Sequence, residues 1–396
     1  MSPRGPRERA IYADHAATTP MREEARQAML PFLGPEFGNP SSLHSHGRRV
    51  AAALDEAREC VASALGCEFG EVIFTSSGTE SANLAILGLA LANPDPRRNR
   101  VILGAAEHHC VIETRGLLER LGYRVEFAEV DRWARVNLKA LEGRLAEDVL
   151  LVAAMHANNE FGAVQEVAPI AERAHEAGAT FFCDAVQSFG KVTFTASSLG
   201  ADLLAISAHK VGGPKGAAAL YVRAGVRLQP LTVGGGQERE LRAGTPNVAG
   251  IVGFAAAIRS FASSAPLSDA ARSARDAFVR RLLEARPDGL RFTTDHGPSV
   301  LPGFCHLRFE GVAAESVLVV LDQLGVSAGA GAACSSGSLE PSHVMQAAGL
   351  TSAESKEGLR FSFGHSNSEQ DGVEAAARLV EAIATVRRAA RHSGRL

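Results

Sequence analysis

Lys210 stands in "ISAHKVGGPKG" (206–216), directly after an apolar run and before a Gly/Pro-rich turn. A loop lysine is ordinarily a solvated surface charge. An amine set among apolar and cationic neighbours instead loses proton affinity and attacks an aldehyde. Asp184 closes the apolar run of "FFCDAVQSFGK" (181–191). A carboxylate inside a crevice is costly unless paired. Asp184 reads equally as a cap for the next segment or as the acid that keeps a pyridine nitrogen protonated, the device that makes pyridoxal phosphate an electron sink. "FTSSGTESANL" (74–84) puts a Ser/Gly/Thr turn before helix-forming residues. Amides at such a helix start bind phosphate, which makes Thr79 and the amides of Ser77 and Gly78 candidate ligands. A plain cap with Glu80 and Ser81 in the first turn accounts for the same residues. "AAEHHCVIET" offers His108 and His109, and an imidazole there can stack on an aromatic cofactor and move protons. Cys334 lies in "AGAGAACSSGSLEPSHV" (328–344) among small residues. An arbitrary cysteine is most often an inert buried group. Here the large or β-branched neighbours of a core strand are missing, so a thiol on a loop tip fits better, and the sequence predicts a weakly anchored loop around Ala330 to Ser338.

The elements that position these residues are short apolar strands alternating with helices. "RRVAAALDEARECVASALG" has one apolar face at helical spacing. "EVIFT", "RVILG" (100–104), "RVEFAEV" (124–130), "LLVAAM" (150–155), "ATFFCD" (179–184), "DLLAIS" (202–207) and "AAALYV" (217–222) read as strands. The run "VLLVAAM" (149–155) is strand-length, far short of the ~20 apolar residues of a membrane span. Strands unbroken by polar residues and separated by helices predict an α/β fold, a mostly parallel sheet sandwiched by helices. Ligands bind such sheets at the carboxyl ends of the strands, where Ser76 to Glu80, His108, Asn159, Asp184, Ser207, His209 and Lys210 fall. After about residue 255 the texture changes to a smaller α+β unit. The expected division is a large domain at 12–258, a small C-terminal domain at 259–396 that includes part of the N-terminal segment, and a tail at 1–11.

The 396 residues are 46% apolar with a net charge of −3, which excludes disorder and gives no reason to propose nucleic acid or a membrane surface as partner. The six cysteines, at 60, 67, 110, 183, 305 and 334, form no CxxC and no zinc spacing. Scattered cysteines with no apolar leader read as reduced thiols in a cytoplasmic protein.

The ordered motifs resemble the NifS-like cysteine desulfurases of the class-V, fold type I, pyridoxal phosphate enzymes. "YADHAATTP" (12–20), "FGNPSSLHSHG", "EH", "NNEFG", "DAVQSFGK", "SAHK", "GPKGAAALYV", "GGGQERELRAGTPNV", "LEPSHV" and "LRFSFG" follow in the family's order over nearly the whole chain. The resemblance implies a large cofactor-binding domain and a smaller one. It implies that Lys210 carries pyridoxal 5'-phosphate, His108 stacks on its ring and Asp184 pairs with the ring nitrogen. Gln187 would bond the ring hydroxyl with Asn159 beside it. Gly78, Thr79, Ser207 and His209 would hold the phosphate, and Thr245 would reach the phosphate of the other subunit in a homodimer. Arg360 and Asn39 would bind the carboxylate of L-cysteine, and Cys334 would accept its sulfur as a persulfide, leaving alanine. A sulfur-acceptor protein would follow, serving iron–sulfur cluster assembly or another thiolation. Selenocysteine lyase, another class-V reaction, or a partner protein that keeps only the fold are the alternatives. This chain departs from the family pattern at Ser77, where Gly is common, at the alanines before Cys334, and at His365, where Arg is usual. It also ends without the extended tail some members use for docking.

Overall fold

The computed structural model describes residues 10–263, 267–294, 297, 299–331 and 341–392. Residues 332–340, with Cys334, lie outside the described residues.

Twelve strands are described, beginning with β1 (Ile11–Tyr12). β2 (Val72–Thr75), β3 (Arg100–Gly104), β4 (Arg124–Ala128), β5 (Val149–Ala153), β6 (Thr180–Asp184), β7 (Leu203–Ser207) and β8 (Ala218–Val222) form one seven-stranded sheet in the order β2-β8-β7-β6-β5-β3-β4. The seven apolar runs read from the sequence are these seven strands. β5, β7 and β8 are buried along their whole length, as expected of strands covered on both faces. Only β8 opposes the others, antiparallel to both β2 and β7. The reason is the length of its connection. Ten residues, 208–217, join β7 to β8, too few for the crossover a parallel pair requires. Lys210 sits on this tight connection, in a single 3₁₀ turn (Ala208–Lys210).

Helices cover both faces. The Ser45–Leu65 helix buries Val50, Leu54, Ala57, Val61 and Leu65 along one stripe. It ends on Gly66 at φ 63°, the left-handed cap that glycine adopts without a Cβ penalty. The Gly78–Ala92 helix buries most of its length, including Leu84, Ile86 and Leu87.

A second core lies around β9 (Leu290–Phe292), β10 (Phe304–Phe309) and β12 (Gly358–Ser362), an antiparallel sheet ordered β12-β10-β9. The Leu267–Ala285 and Glu369–His392 helices pack on each other beside it. Phe278, Phe309, Phe361, Val317 and Leu379 are buried there together with Ile11 and Ala13. β1 joins this unit by pairing in parallel with β11 (Val326–Ser327). The first described strand thus belongs to the second core, and Ala16 and Ala17 after it reach the cleft at the carboxyl edge of the large sheet. Among the described residues, no helix is long and apolar enough to cross a membrane.

Candidate active site

The carboxyl ends of β5, β6 and β7, the start of the Gly78–Ala92 helix and the segment after β3 meet around one cavity of ≈ 230 Å³. Gly78, Thr79, His108, Asn159, Asp184 and Gln187 line it. Ser207, His209, Lys210 and Arg360 complete its walls. Ten of the thirteen residues singled out in the sequence therefore share one cleft. Arg360 comes from β12, so the second core supplies the wall facing the large sheet.

Each side chain is held by identifiable contacts. Lys210 Nζ donates to the carbonyls of Ala16 and, at 3.0 Å, Ala17. Asp184 ends β6 nearly buried, with Oδ1 accepting the Val186 N–H at 2.9 Å. Burial pushes its carboxyl up to about 6, against the pull of that N–H and the Lys210 charge. His108 caps a short helix, its Nδ1 accepting the Cys110 N–H at 3.1 Å. That bond leaves Nε2 to carry the proton. Burial and the positive charge of Lys210 pull this imidazole down to about 4, so it is neutral at physiological pH. His109 turns away, its ring centroid 4.6 Å from that of His343.

Arg360 is almost wholly buried. One nitrogen donates to the Asn159 carbonyl at 2.8 Å, and another pairs with Asp14 Oδ1 at 2.8 Å. Asn159 Oδ1 is buried with no hydrogen-bond partner among the described residues. Such an orphaned acceptor at a cavity wall marks a place for a ligand donor. At the opposite wall, Ser77 Oγ accepts the Glu80 N–H at 3.1 Å, so the serine in this turn serves as the helix cap. A Cβ on Gly78 would stand 2.8 Å from Val186 Cγ2, which explains glycine at the first helical position.

Two expected residues lie elsewhere on this protomer, and a third is outside the described residues. Asn39 is exposed and is not part of the cleft lining; its Oδ1 accepts the Ser41 N–H at 2.9 Å. The reason is local: Gly38 packs against the backbone of His46 and Gly47, which holds Asn39 in a surface turn. Thr245 is also exposed and off the cleft. Cys334 falls outside the described residues.

The aminotransferase class-V family matches residues 11–375. Cysteine desulfurase IscS of Dictyoglomus turgidum is 41% identical over 384 residues, 96% of this chain and 96% of that protein. Cysteine desulfurase IscS of Methanosarcina thermophila is 40% identical over 366 residues, 92% of this chain and 89% of that protein. The chain belongs to the NifS-like cysteine desulfurase group of the class-V aminotransferases. A solved NifS-like protein superposes with a TM-score of 0.88 at 31% identity, covering 95% of this chain and 100% of its own. SspA in complex with cysteine superposes with a TM-score of 0.79 at 33% identity, covering 90% of this chain and 99% of its own.

Within this family member, the sequence reading missed three residues that lie inside motifs it quoted. Asp14 of "YADHAATTP" orients Arg360 across 346 residues of sequence, a pairing no local pattern announces. Glu107 of the "EH" pair is 1% exposed; its Oε1 accepts the Met155 N–H at 2.6 Å. Burial and the nearby Asp184 push Glu107 up to about 8, so it holds a proton at neutral pH. Lys191 of "DAVQSFGK" donates to the carbonyl of Gln187 at 2.9 Å and to its Oε1 at 3.0 Å. His365, the departure from the usual Arg, lies against His15 at 6.2 Å between ring centroids. Arg360 takes its orientation from Asp14 and Asn159 instead.

Proposed function

We propose that this chain is a pyridoxal phosphate-dependent cysteine desulfurase that converts L-cysteine to L-alanine and passes the sulfur through Cys334 to an acceptor protein. The observation that carries the reading is the convergence of the Lys210 amine, the Asp184 carboxylate and the Arg360 guanidinium on one cavity. The donor set fits the cofactor. Helix-start amides at Gly78 and Thr79 suit a phosphate, and the nearly buried Asp184 suits a protonated ring nitrogen. Bound there, pyridoxal phosphate supplies an electron sink for the charge that develops at the substrate Cα.

The residues then divide the work. Arg360 presents a planar fork to the substrate carboxylate, held by Asp14 so that little rotamer freedom is lost on binding. Lys210, freed as a neutral amine, takes the Cα proton. His108, neutral and with its Nε2 proton available, moves a proton between the substrate and enzyme thiols. The Cys334 thiolate attacks the substrate sulfur. A sulfur–sulfur bond forms, the carbon–sulfur bond breaks with its electron pair passing to carbon, and protonation of that carbon together with return of a proton to Cα from Lys210 gives alanine. Thr245, exposed on this protomer, serves the cleft of a second copy in a homodimer. The acceptor belongs to iron–sulfur cluster assembly or to another thiolation route.

The loaded protein incubated with L-cysteine should release alanine; none above a cofactor-only control overturns the reading. Arg360→Lys keeps the charge but loses the fork and its hold on Asp14. It should raise KM for L-cysteine by about tenfold or more, with kcat less affected. An unchanged KM would remove Arg360 from carboxylate binding.

A further inference from the structure

Lys191 has no anionic partner among the described residues. No carboxylate lies within ion-pair distance of it among the described residues. Lys210 and Arg360 are the charges that act on it, and both are positive. His15 and His365 line the small cavity beside it, with Phe304. Burial and the two cations pull its ammonium down to about 7. An unpaired cation in such surroundings is costly, and its hydrogen bonds show where it acts.

Both of its hydrogen bonds among the described residues go to Gln187. The Nζ donates to the main-chain carbonyl at 2.9 Å and to Oε1 at 3.0 Å. On the other side, Gln187 Nε2 donates to the Ala16 carbonyl at 2.8 Å. A lysine ammonium has no acceptor and a carbonyl has no donor, so the two partners fix the carboxamide from opposite ends. Gln187 lines the cleft with its oxygen already engaged. What it can offer the cleft is its second Nε2–H. Ala16, whose carbonyl also receives Lys210 Nζ, ties this amide to the reactive lysine.

We propose that Lys191 is a positioning residue of the cofactor site: through Gln187 it keeps this wall a hydrogen-bond donor backed by positive charge, so that the ring oxygen of the bound cofactor stays ionised. The proposal rests on the cofactor assignment above. It explains why a lysine is kept beside two other cations: the balancing negative charge arrives with the cofactor. Without Lys191 the carboxamide can rotate its oxygen toward the ring oxygen, and both the lost charge and the turned dipole favour protonation of the lysine-linked cofactor.

The test is a pH titration of the visible absorption of the loaded protein, read together with the melting temperature of each apoprotein. The variants are Lys191→Met, Lys191→Arg, Gln187→Ala and the Gln187→Ala/Lys191→Met double. Lys191→Met should move the midpoint upward by about one pH unit, while Lys191→Arg stays near wild type. In the Gln187→Ala background, Lys191→Met should shift it by less than half as much. If Lys191→Met does not fold, Lys191→Gln, which removes the charge and keeps a donor, takes its place. A lowered melting temperature with an unmoved midpoint would make Lys191 merely structural and overturn the proposal. A full shift in the Gln187→Ala background would overturn the route through Gln187. A wild type with no visible band overturns the cofactor assignment instead, which separates the two failures.

Discussion

Lys210→Ala is expected to abolish alanine formation, with a loss of about 10⁴-fold or more, because the proposed function assigns one side chain both roles, the cofactor's covalent anchor and the base at Cα. The structure places this amine on the ten-residue hairpin between β7 and β8, where it spans to the carbonyls of Ala16 and Ala17. Removing it leaves the fold's own bonds in place. Ala16 still accepts from Gln187 Nε2 at 2.8 Å, and the 3₁₀ turn is closed by backbone contacts from Ala208. The variant should therefore fold, with far-ultraviolet circular dichroism like wild type, and lose the visible band of a lysine-linked cofactor. Borohydride reduction followed by peptide mass spectrometry should label Lys210 in the wild type and nothing in the variant. A label on Lys191 or Lys215, or a visible band that survives Lys210→Ala, would contradict the assignment.

Asp184→Asn carries the second largest expected loss, about 10³-fold in kcat, equivalent to roughly 4 kcal/mol of barrier. The carboxylate is 7% exposed, and burial, working against the Val186 N–H and the Lys210 charge, pushes it up to about 6. A protonated ring nitrogen beside it restores the charged form, since an opposite charge at contact distance offsets desolvation. Asparagine has the same shape and keeps a carbonyl to accept from Val186, but it cannot hold a proton on the ring nitrogen. Binding of the cofactor should weaken only modestly while turnover collapses. Steady-state alanine release at saturating L-cysteine separates the two, and a kcat within threefold of wild type would remove Asp184 from the electron-sink role.

The parts of this fold that were legible in the sequence are those set by local composition. "VLLVA" contains no polar residue and "LLAIS" only its final serine, and a strand of that kind must be covered on both faces. The strand-end residues followed from the same logic, because ligands gather at the carboxyl edge of a parallel sheet. Strand order was not legible. Nothing local says that β2 lies at the far edge next to β8, or that β8 is reversed until the length of its connection is considered. Partnerships across hundreds of residues were equally silent. Asp14 reads as a polar residue in an opening motif, yet it orients Arg360 from the other core. The resemblance placed Asn39 with the substrate, while the packing of Gly38 on His46 and Gly47 holds it on the surface of this protomer. Lys191 was four residues from a named ligand, but only the fixed carboxamide of Gln187 gives it a role.

The central claim is that sulfur leaves L-cysteine by transfer to Cys334. Alanine and sulfide should be quantified after mixing the loaded wild-type protein and Cys334→Ala with L-cysteine and a reducing thiol. The wild type should yield equal amounts of alanine and sulfide, and Cys334→Ala should lose both while its visible spectrum stays that of the wild type. Alanine released at the wild-type rate by Cys334→Ala would contradict the account.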